Sequence, residues 1–145
     1  MKILVQKVLN ASVSVEQKTV SAIDHGYLLF IGVEKNDTTF QADFLAKKIA
    51  NLRIFTDDND KMNLSIQDVG GEILAVSQFT LAADLSRGNR PGFDSAASPE
   101  VAKPLYEYFV SQLKQFGIPV QTGIFQADMQ VSLINDGPCT FLLQK

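Results

Sequence analysis

The sequence has few of the residues that many enzymes use for catalysis or metal binding. Among 145 residues there is one cysteine, Cys139, one histidine, His25, and no tryptophan. A single cysteine excludes an internal disulfide, and no set of His, Cys, Asp and Glu has the spacing of a zinc site. The sequence therefore predicts no metal and no other cofactor. Cys139 lies in an apolar run and is expected to be a small buried residue.

The lone histidine also limits acid–base chemistry. A serine or threonine nucleophile needs a base to take its proton, and that base is usually histidine. His25 lies in an Asp24-His25-Gly26 turn, where we expect it to be solvated. No glycine-rich nucleotide-binding loop is present. If the protein is a hydrolase, side-chain acid–base catalysis is not its obvious mechanism.

Long hydrophobic runs and excess positive charge are missing too. No apolar stretch approaches the ~18 residues of a membrane span, and the short apolar run after Lys2 does not resemble a secretory signal, so we expect a cytoplasmic protein without a membrane partner. A net charge of −3 argues against wrapping a long nucleic acid. A nucleic acid would have to be held locally, by a few residues such as Lys7, Arg87 and Arg90, unless these are only solvated surface charges.

The residues that are present predict one compact α+β domain spanning residues 1–145. Hydrophobic residues make up 46% of the chain and include ten phenylalanines, enough for one sizeable core. Ile3 to Val8 and Ala11 to Glu16 have the pattern of an opening pair of strands, and Tyr27 to Val33 that of a buried strand.

Two helices are predicted. Thr38 and Gln41 form a capping-box pattern before a first helix, in which Phe40, Phe44 and Ile49 are expected on the apolar face. Ser98 as N-cap and Pro99 as the first helical residue begin a second helix, which Gly117 and Pro119 should end. Its expected apolar stripe is Val101, Leu105, Phe109, Leu113 and Phe116.

Asn135-Asp136-Gly137-Pro138 joins two apolar, strand-like runs, Met129 to Ile134 and Cys139 to Leu143, as a short turn. These four residue types favour turns, and a Gly-Pro bond can be cis. We expect a tight connection with Gly137 and Pro138 at its tip. The pattern by itself also fits an ordinary hairpin turn.

A second polar segment ends another apolar run. Ser77, Gln78 and Thr80 place three hydrogen-bonding side chains within four residues, around Phe79. Such a group is either a satisfied sheet edge or the lining of a pocket for a polar ligand. A Gly/Pro/Ser-rich loop, Asp84 to Ser98, follows and could shape such a site.

Taken together, the two segments Ser77-Gln78-Phe79-Thr80-Leu81 and Asn135-Asp136-Gly137-Pro138-Cys139-Thr140 closely resemble the signatures of the D-aminoacyl-tRNA deacylase family. The likeness extends over the whole chain. Further matching segments are Met1 to Val8, Asn51 to Phe55, Lys61 to Ser65, Arg90-Pro91 and Ala127 to Val131.

The resemblance implies an enzyme that hydrolyses the ester of D-aminoacyl-tRNA, on a barrel-like mixed or antiparallel sheet with two main helices packed on it. It implies that Ser77, Gln78, Phe79 and Thr80 surround the ester, with backbone N–H groups near Phe79 as an oxyanion site. A free ribose hydroxyl of the substrate would assist the reaction. Thr80 as a covalent nucleophile is the alternative.

The resemblance further implies a homodimer with shared active sites, in which a Gly-cisPro tip enters the partner's pocket. Gly137 and Pro138 would hold the substrate amino group and reject L side chains by clash. Because glycine has no Cβ, glycyl-tRNA should also be hydrolysed. Lys7, Asn135 and Met129 are expected to support this tip, Met129 by filling adaptable space, although Met129 also fits plain core.

Three positions depart from the family pattern. Lys7 stands where Arg is common, Gln126 where Gly is usual, and Gly92 where Ser is common. An ammonium braces backbone carbonyls less rigidly than a forked guanidinium. Two other functions therefore stay open: an aminoacyl-tRNA esterase of altered chirality, and a non-catalytic dimeric tRNA-binding module.

Overall fold

The computed structural model describes all residues 1–145 as one α+β domain. The two helices are α1 (Thr39–Ala50) and α2 (Pro99–Gln115), and a short 3₁₀ helix spans Phe79–Ala82. No helix is long and apolar enough to cross a membrane. The strands are β1 (Lys2–Val15), β2 (Lys18–Ile23), β3 (Gly26–Gly32), β4 (Phe55–Thr56), β5 (Met62–Leu64), β6 (Glu72–Ser77), β7 (Val120–Thr122) and β8 (Gln130–Gln144).

Six strands form one mixed sheet that nearly closes into a barrel. Its order is β2-β1-β3-β6-β7, with β8 also paired to β1. β1 pairs antiparallel with β2, β3 and β8, whereas β6 pairs parallel with both β3 and β7. β4 and β5 form a separate antiparallel pair. The predicted fold class, including the barrel-like sheet and the two helices, is confirmed.

Alternation along the strands gives the sheet two apolar faces. One face carries Ile3, Val5, Leu29 and Ile31, and both helices cover it in a core of 24 buried residues. The other face carries a cluster of seven: Val8, Ala11, Val13, Ile23, Leu28, Leu74 and Val76. Successive side chains point to opposite faces of a strand, so the central strands β3 and β6 are hydrophobic almost throughout.

The helices begin where the caps predict, but the buried face of α1 differs from the prediction. Thr38 and Gln41 form the full capping box. Phe40 and Phe44, however, are exposed, and Lys145 lies over both rings. The side chains that α1 buries are Ala42, Leu45, Ala46, Ile49 and Ala50. The two phenylalanines lie beside the true apolar stripe, where small Ala residues permit close helix packing.

Most of the predicted stripe of α2 is correct. Leu105, Phe109 and Leu113 are buried, but Val101 is exposed in the first turn. Ser98 occupies the N-cap position without a side-chain capping bond. Gly117 follows the helix with φ of +77°, a left-handed conformation that glycine adopts without strain.

The two expected opening strands are one strand. Ile3 to Val8 and Ala11 to Glu16 were expected as a pair, yet β1 runs unbroken from Lys2 to Val15. No turn residue other than Asn10 separates the two runs, and one long partner strand, β8, pairs with both. The apolar pattern located the strand residues correctly and missed their continuity.

The two runs around Gly137-Pro138 are likewise one strand, not a hairpin. β8 pairs with β1 on both sides of the interruption, at Gln6↔Thr140 and again at Asn10↔Ile134. Between those pairs β1 contributes three residues and β8 contributes five, of which Asn135 still pairs with Val8, so the segment 136–139 bulges from the ladder. The residue types of this segment predicted a turn between two strands, but the same residue types also occur in a bulge within one strand.

Candidate active site

A cleft of about 1210 Å³ opens where the carboxyl end of β6 meets the start of β8. Ser77, Gln78 and Phe79 form one wall, and Met129 lies in the segment that forms another. The turn between β1 and β2 and the loop 84–98 complete it. The apolar lining includes Val33, Val76, Phe93, Ala97, Phe125 and Val131.

The backbone places the polar segment at the cleft. Ser77 is the last residue of β6 and pairs with Ile31, and the Gln78 amide donates to the Ile31 carbonyl at 2.8 Å. The chain then turns into the 3₁₀ helix, so the Phe79 side chain is 56% exposed and contacts Phe93, with ring centroids 5.0 Å apart. An exposed aromatic pair beside polar groups is suited to stacking on a flat ligand.

Thr80 has no base beside it. The Gln78 side-chain amide donates to Thr80 Oγ1 at 2.5 Å, and Thr80 itself does not line the cleft. His25 contacts the Val69 carbonyl at 3.2 Å. The Tyr106 hydroxyl donates to the Ala75 carbonyl at 2.9 Å, and burial raises the pKa of Tyr106 far above its usual value, so that this phenol stays protonated.

Besides polar side chains that include Glu16 and Asp128, the cleft has backbone donors. Phe79 and Thr80 are the first residues of the 3₁₀ helix, and the first amides of a helix have no acceptor within it. No group of three His, Cys, Asp or Glu side chains is placed to hold a metal ion. The cleft can therefore offer hydrogen bonds and shape, but no proton-accepting imidazole.

The segment around Gly137-Pro138 is held by side chains. The Lys7 ammonium, 9% exposed, pairs with Asp136 at 2.9 Å. The Asn135 side-chain amide donates to the Lys7 carbonyl at 2.9 Å and to the Cys139 carbonyl at 3.4 Å, and Thr140 Oγ1 donates to Asn135 Oδ1 at 3.2 Å. The Gly137–Pro138 peptide bond is cis.

The tip, defined as Gly137 and Pro138, is the unpacked end of this segment. Both residues are exposed, and a Cβ built on Gly137 would meet no atom within 4 Å. Directly behind the tip, Cys139 is buried and unpaired, as expected of a small apolar residue. The tip thus projects from a fixed base into open space.

The tip does not reach the cleft of its own chain. Asn135 pairs with Val8, Val8 with Gly26, and Gly26 with Glu72, five residues before Ser77. Three strand spacings of about 4.8 Å and a run of about 16 Å along β6 separate Asn135 from Ser77. Neither tip residue lines the cleft.

The predicted site residues therefore form two groups. Ser77, Gln78, Phe79 and Met129 share the cleft, with Thr80 bonded to Gln78 just outside it. The second group lies away from the cleft, where β8 pairs with β1, and consists of Lys7, Asn135, Gly137 and Pro138. Lys7 is buried and paired, whereas the other two basic candidates, Arg87 and Arg90, are exposed on the loop 84–98.

Several cleft residues were not predicted from the sequence. Glu16 and Gln17 line the cleft from the β1–β2 turn, where both have positive φ values of 49° and 64°. Phe93 and Phe125 line it from loops. The only signal for Phe93 was its place in the Gly/Pro-rich loop, and Phe125 carries no motif of its own.

The sequence of this chain is similar to known proteins over its full length. Residues 4–144 match the family described as D-Tyr-tRNA(Tyr) deacylase. A D-aminoacyl-tRNA deacylase of Geotalea uraniireducens is 60% identical over 99% of this chain and 93% of its own. One of Pelobacter propionicus is 56% identical over the full length of both chains.

Two solved structures have the same fold. One, described as "c-Myc DNA Unwinding Element Binding Protein", superposes with a TM-score of 0.94 at 39% identity and covers 100% of this chain and 99% of its own. The other, described as a probable eukaryotic D-amino acid tRNA deacylase, has a TM-score of 0.83 at 17% identity, covering 98% and 97%. On the family match and these full-length identities, the chain belongs to the D-aminoacyl-tRNA deacylase family.

Proposed function

We propose that the protein is a hydrolase that cleaves the ester bond of D-aminoacyl-tRNA and releases the D-amino acid and free tRNA. Family membership over the full chain carries this proposal. The cleft beside Ser77, Gln78 and Phe79 supports it, because its donors and exposed rings suit an aminoacylated nucleotide end. The reaction belongs in the cytoplasm, where aminoacyl-tRNAs are used.

Catalysis is assisted by the RNA. The ester lies beside a free ribose hydroxyl, so the substrate supplies an activating group in place of the imidazole that the cleft lacks. Backbone amides near Phe79 stabilise the oxyanion, and Ser77, Gln78 and Thr80 position the ester and a water. The absence of a base beside Thr80 favours this route over a covalent threonine intermediate.

Chirality is selected by a tip from a second subunit. In a homodimer with a twofold axis, Gly137 and Pro138 of one protomer would enter the cleft of its partner and block L side chains. The tip is exposed, rigidly based and remote from its own cleft, which supports this arrangement. Leu9, Ile134 and Leu142, all more than half exposed on β1 and β8, are apolar surface that a partner could cover.

The tRNA is bound at its acceptor end only. The chain has a net charge of −3, so long-range phosphate contacts are few. Arg87 and Arg90 lie exposed on the loop 84–98, which also supplies Phe93 to the cleft. These two side chains are placed to meet phosphates next to the bound terminal nucleotide.

The decisive experiment measures amino acid release from D-tyrosyl-, L-tyrosyl- and glycyl-tRNA, with and without a chelator. We expect rapid release of the D-tyrosyl and glycyl esters, sparing of the L ester, and no effect of the chelator. Glycine is released because it has no Cβ to clash with the tip. Glycyl-tRNA that resists enzyme amounts clearing the D ester would refute this account of selectivity.

A mixing experiment tests the shared site. One variant lacks Gly137 and Pro138, and a second carries Ser77→Trp, which fills the cleft. Each alone should be inactive, the first because its missing tip would also hold the substrate amino group. Co-refolding them in equal amounts should restore about a quarter of the wild-type sites, because half of the dimers then contain one intact pair of cleft and tip. No recovery in mixtures that form heterodimers would rule out a tip acting across the interface.

A nucleic-acid-binding module without activity is the second candidate. The solved structure at 39% identity is described as a DNA unwinding element binding protein, which is the observation in its favour. Such a module would bind charged and uncharged tRNA with similar affinity and release no amino acid. An esterase of altered chirality would instead release L-tyrosine in the assay above.

A further inference from the structure

Gly123 lies immediately after β7 and faces Met129. A Cβ built on Gly123 would lie 2.5 Å from Met129 Sδ, 3.7 Å from Met129 Cε and 3.7 Å from Val13 Cγ1. Gly123 does not have a left-handed φ, so its backbone conformation is open to any residue. The reason for glycine at this position is therefore space, and the space is occupied by the Met129 thioether.

Met129 separates the second core cluster from the cleft. On one side it packs against that cluster, which includes Val13, and on the other side it lines the cleft. The Gly123 amide donates to the Ala75 carbonyl at 3.0 Å, which fixes Gly123 against β6 two residues before Ser77. A side chain added at Gly123 could not retreat, so the flexible Met129 would have to move.

We propose that Gly123 is a positioning residue: its missing side chain lets Met129 lie back against β7 and keeps the cleft open for the ester. A Cβ at position 123 pushes the thioether away from β7. Val13 and its neighbours are packed on the core side, so the remaining free direction is the cleft. This inference rests on the proposed function, because it takes that cleft as the site of hydrolysis.

The test is a double-mutant cycle of Gly123→Ala and Met129→Ala, measured on D-tyrosyl-tRNA. In the wild-type background, Gly123→Ala should lower kcat/KM by about tenfold or more, since small misplacements of a reacting group cost large factors in rate. In the Met129→Ala background the same change should alter kcat/KM by less than about twofold, because the colliding atom is gone.

A spectroscopic readout that needs no activity accompanies the cycle. The chain has three methionines, so in methyl-¹³C-methionine protein the signal lost in Met129→Ala identifies the Met129 methyl group. Gly123→Ala should shift that signal while leaving those of Met1 and Met62 in place. Thermal unfolding of all four proteins shows whether each variant is folded.

The possible failures are distinguishable. A wild-type protein that releases no amino acid overturns the proposed function and this role of Gly123 with it. An active wild type in which Gly123→Ala has no effect, or an equal effect in both backgrounds, overturns the inference alone. A shifted Met129 signal with an unchanged rate does the same, since the methionine would then have moved without closing the site.

Discussion

The two polar segments of this protein are held in opposite ways. Ser77 to Thr80 is fixed by its backbone, through β6 and the bond from the Gln78 amide to Ile31, while its side chains make one hydrogen bond, from Gln78 to Thr80. The residues between Asn135 and Thr140 leave the ladder, and this segment is fixed by side chains of its own and of Lys7.

This difference indicates a division of labour. A segment whose backbone is anchored leaves its side chains and first helical amides available to a ligand. A segment anchored by side chains gains a fixed backbone shape, which is what exclusion by clash requires. These properties suit the proposed roles, in which the first segment binds the ester and the second rejects L side chains. Three substitutions test this contrast.

The largest effect is expected at Asn135. Asn135→Ala removes the bonds to the Lys7 and Cys139 carbonyls and leaves Thr140 Oγ1 without its acceptor. We expect a loss of about 1 to 2 kcal/mol in the free energy of unfolding and a fall of about tenfold in the preference for D- over L-tyrosyl-tRNA. Denaturant unfolding and parallel release assays measure the two quantities.

The matched variant for Asn135 is Thr140→Val, which deletes only one of these bonds. It should show a smaller loss of both stability and selectivity. Equal effects of the two substitutions would mean that Asn135 does not anchor the tip as a unit.

An intermediate effect is expected at Lys7. Lys7→Met keeps the length of the side chain and its packing near Phe55 but removes the charge that pairs with Asp136. Since Asp136 is 41% exposed and can be hydrated, the free energy of unfolding should fall by less than about 1 kcal/mol. Selectivity should fall more than the rate of D-tyrosine release does.

Lys7→Arg is the corresponding control. It retains the positive charge and offers more donors to the bulge, so selectivity should be kept or increased. A variant with methionine that rejects L-tyrosyl-tRNA as well as the wild type would show that the ion pair is irrelevant to the tip.

The smallest effect is expected at Thr80, in the binding segment. Thr80→Ala removes one exposed contact with Gln78 and should change the rate of D-tyrosine release by less than about threefold, because the proposed route uses no threonine nucleophile. Thr80→Ser, which keeps the hydroxyl, should match the wild type. Complete loss of activity in a folded Thr80→Ala that still binds substrate would instead favour covalent catalysis.

Local patterns predicted the local structure well. The capping box at Thr38, the core positions Leu105, Phe109 and Leu113, and the buried strand near Tyr27 all follow from period and propensity. Such signals are complete within one turn or one strand. The predicted positions of Phe40 and Phe44 failed because residue size does not decide which edge of an apolar stripe is covered.

Features that depend on a partner strand were not predictable. Whether Gly137-Pro138 closes a hairpin or bulges from a strand is decided by β1, which pairs on both sides of it. Likewise, Glu16 and Phe125 join the cleft only through the curl of the sheet. The sequence pattern identified both polar segments. The tertiary fold determined that only the Ser77 segment lies at the cleft of its own chain.

The bulge in β8 also bears on how this chain can vary in length. Between the pairs flanking the tip, β8 carries two more residues than β1. An even difference keeps the side-chain alternation of β8 in step with that of β1 on both sides of the bulge, with Phe141 packed against the larger core cluster and Leu133 against the cluster of seven. An insertion or deletion of one residue here would move the side chains of one half of β8 to the opposite face of the sheet. We therefore expect related chains to gain or lose two residues at a time within this segment, and not one.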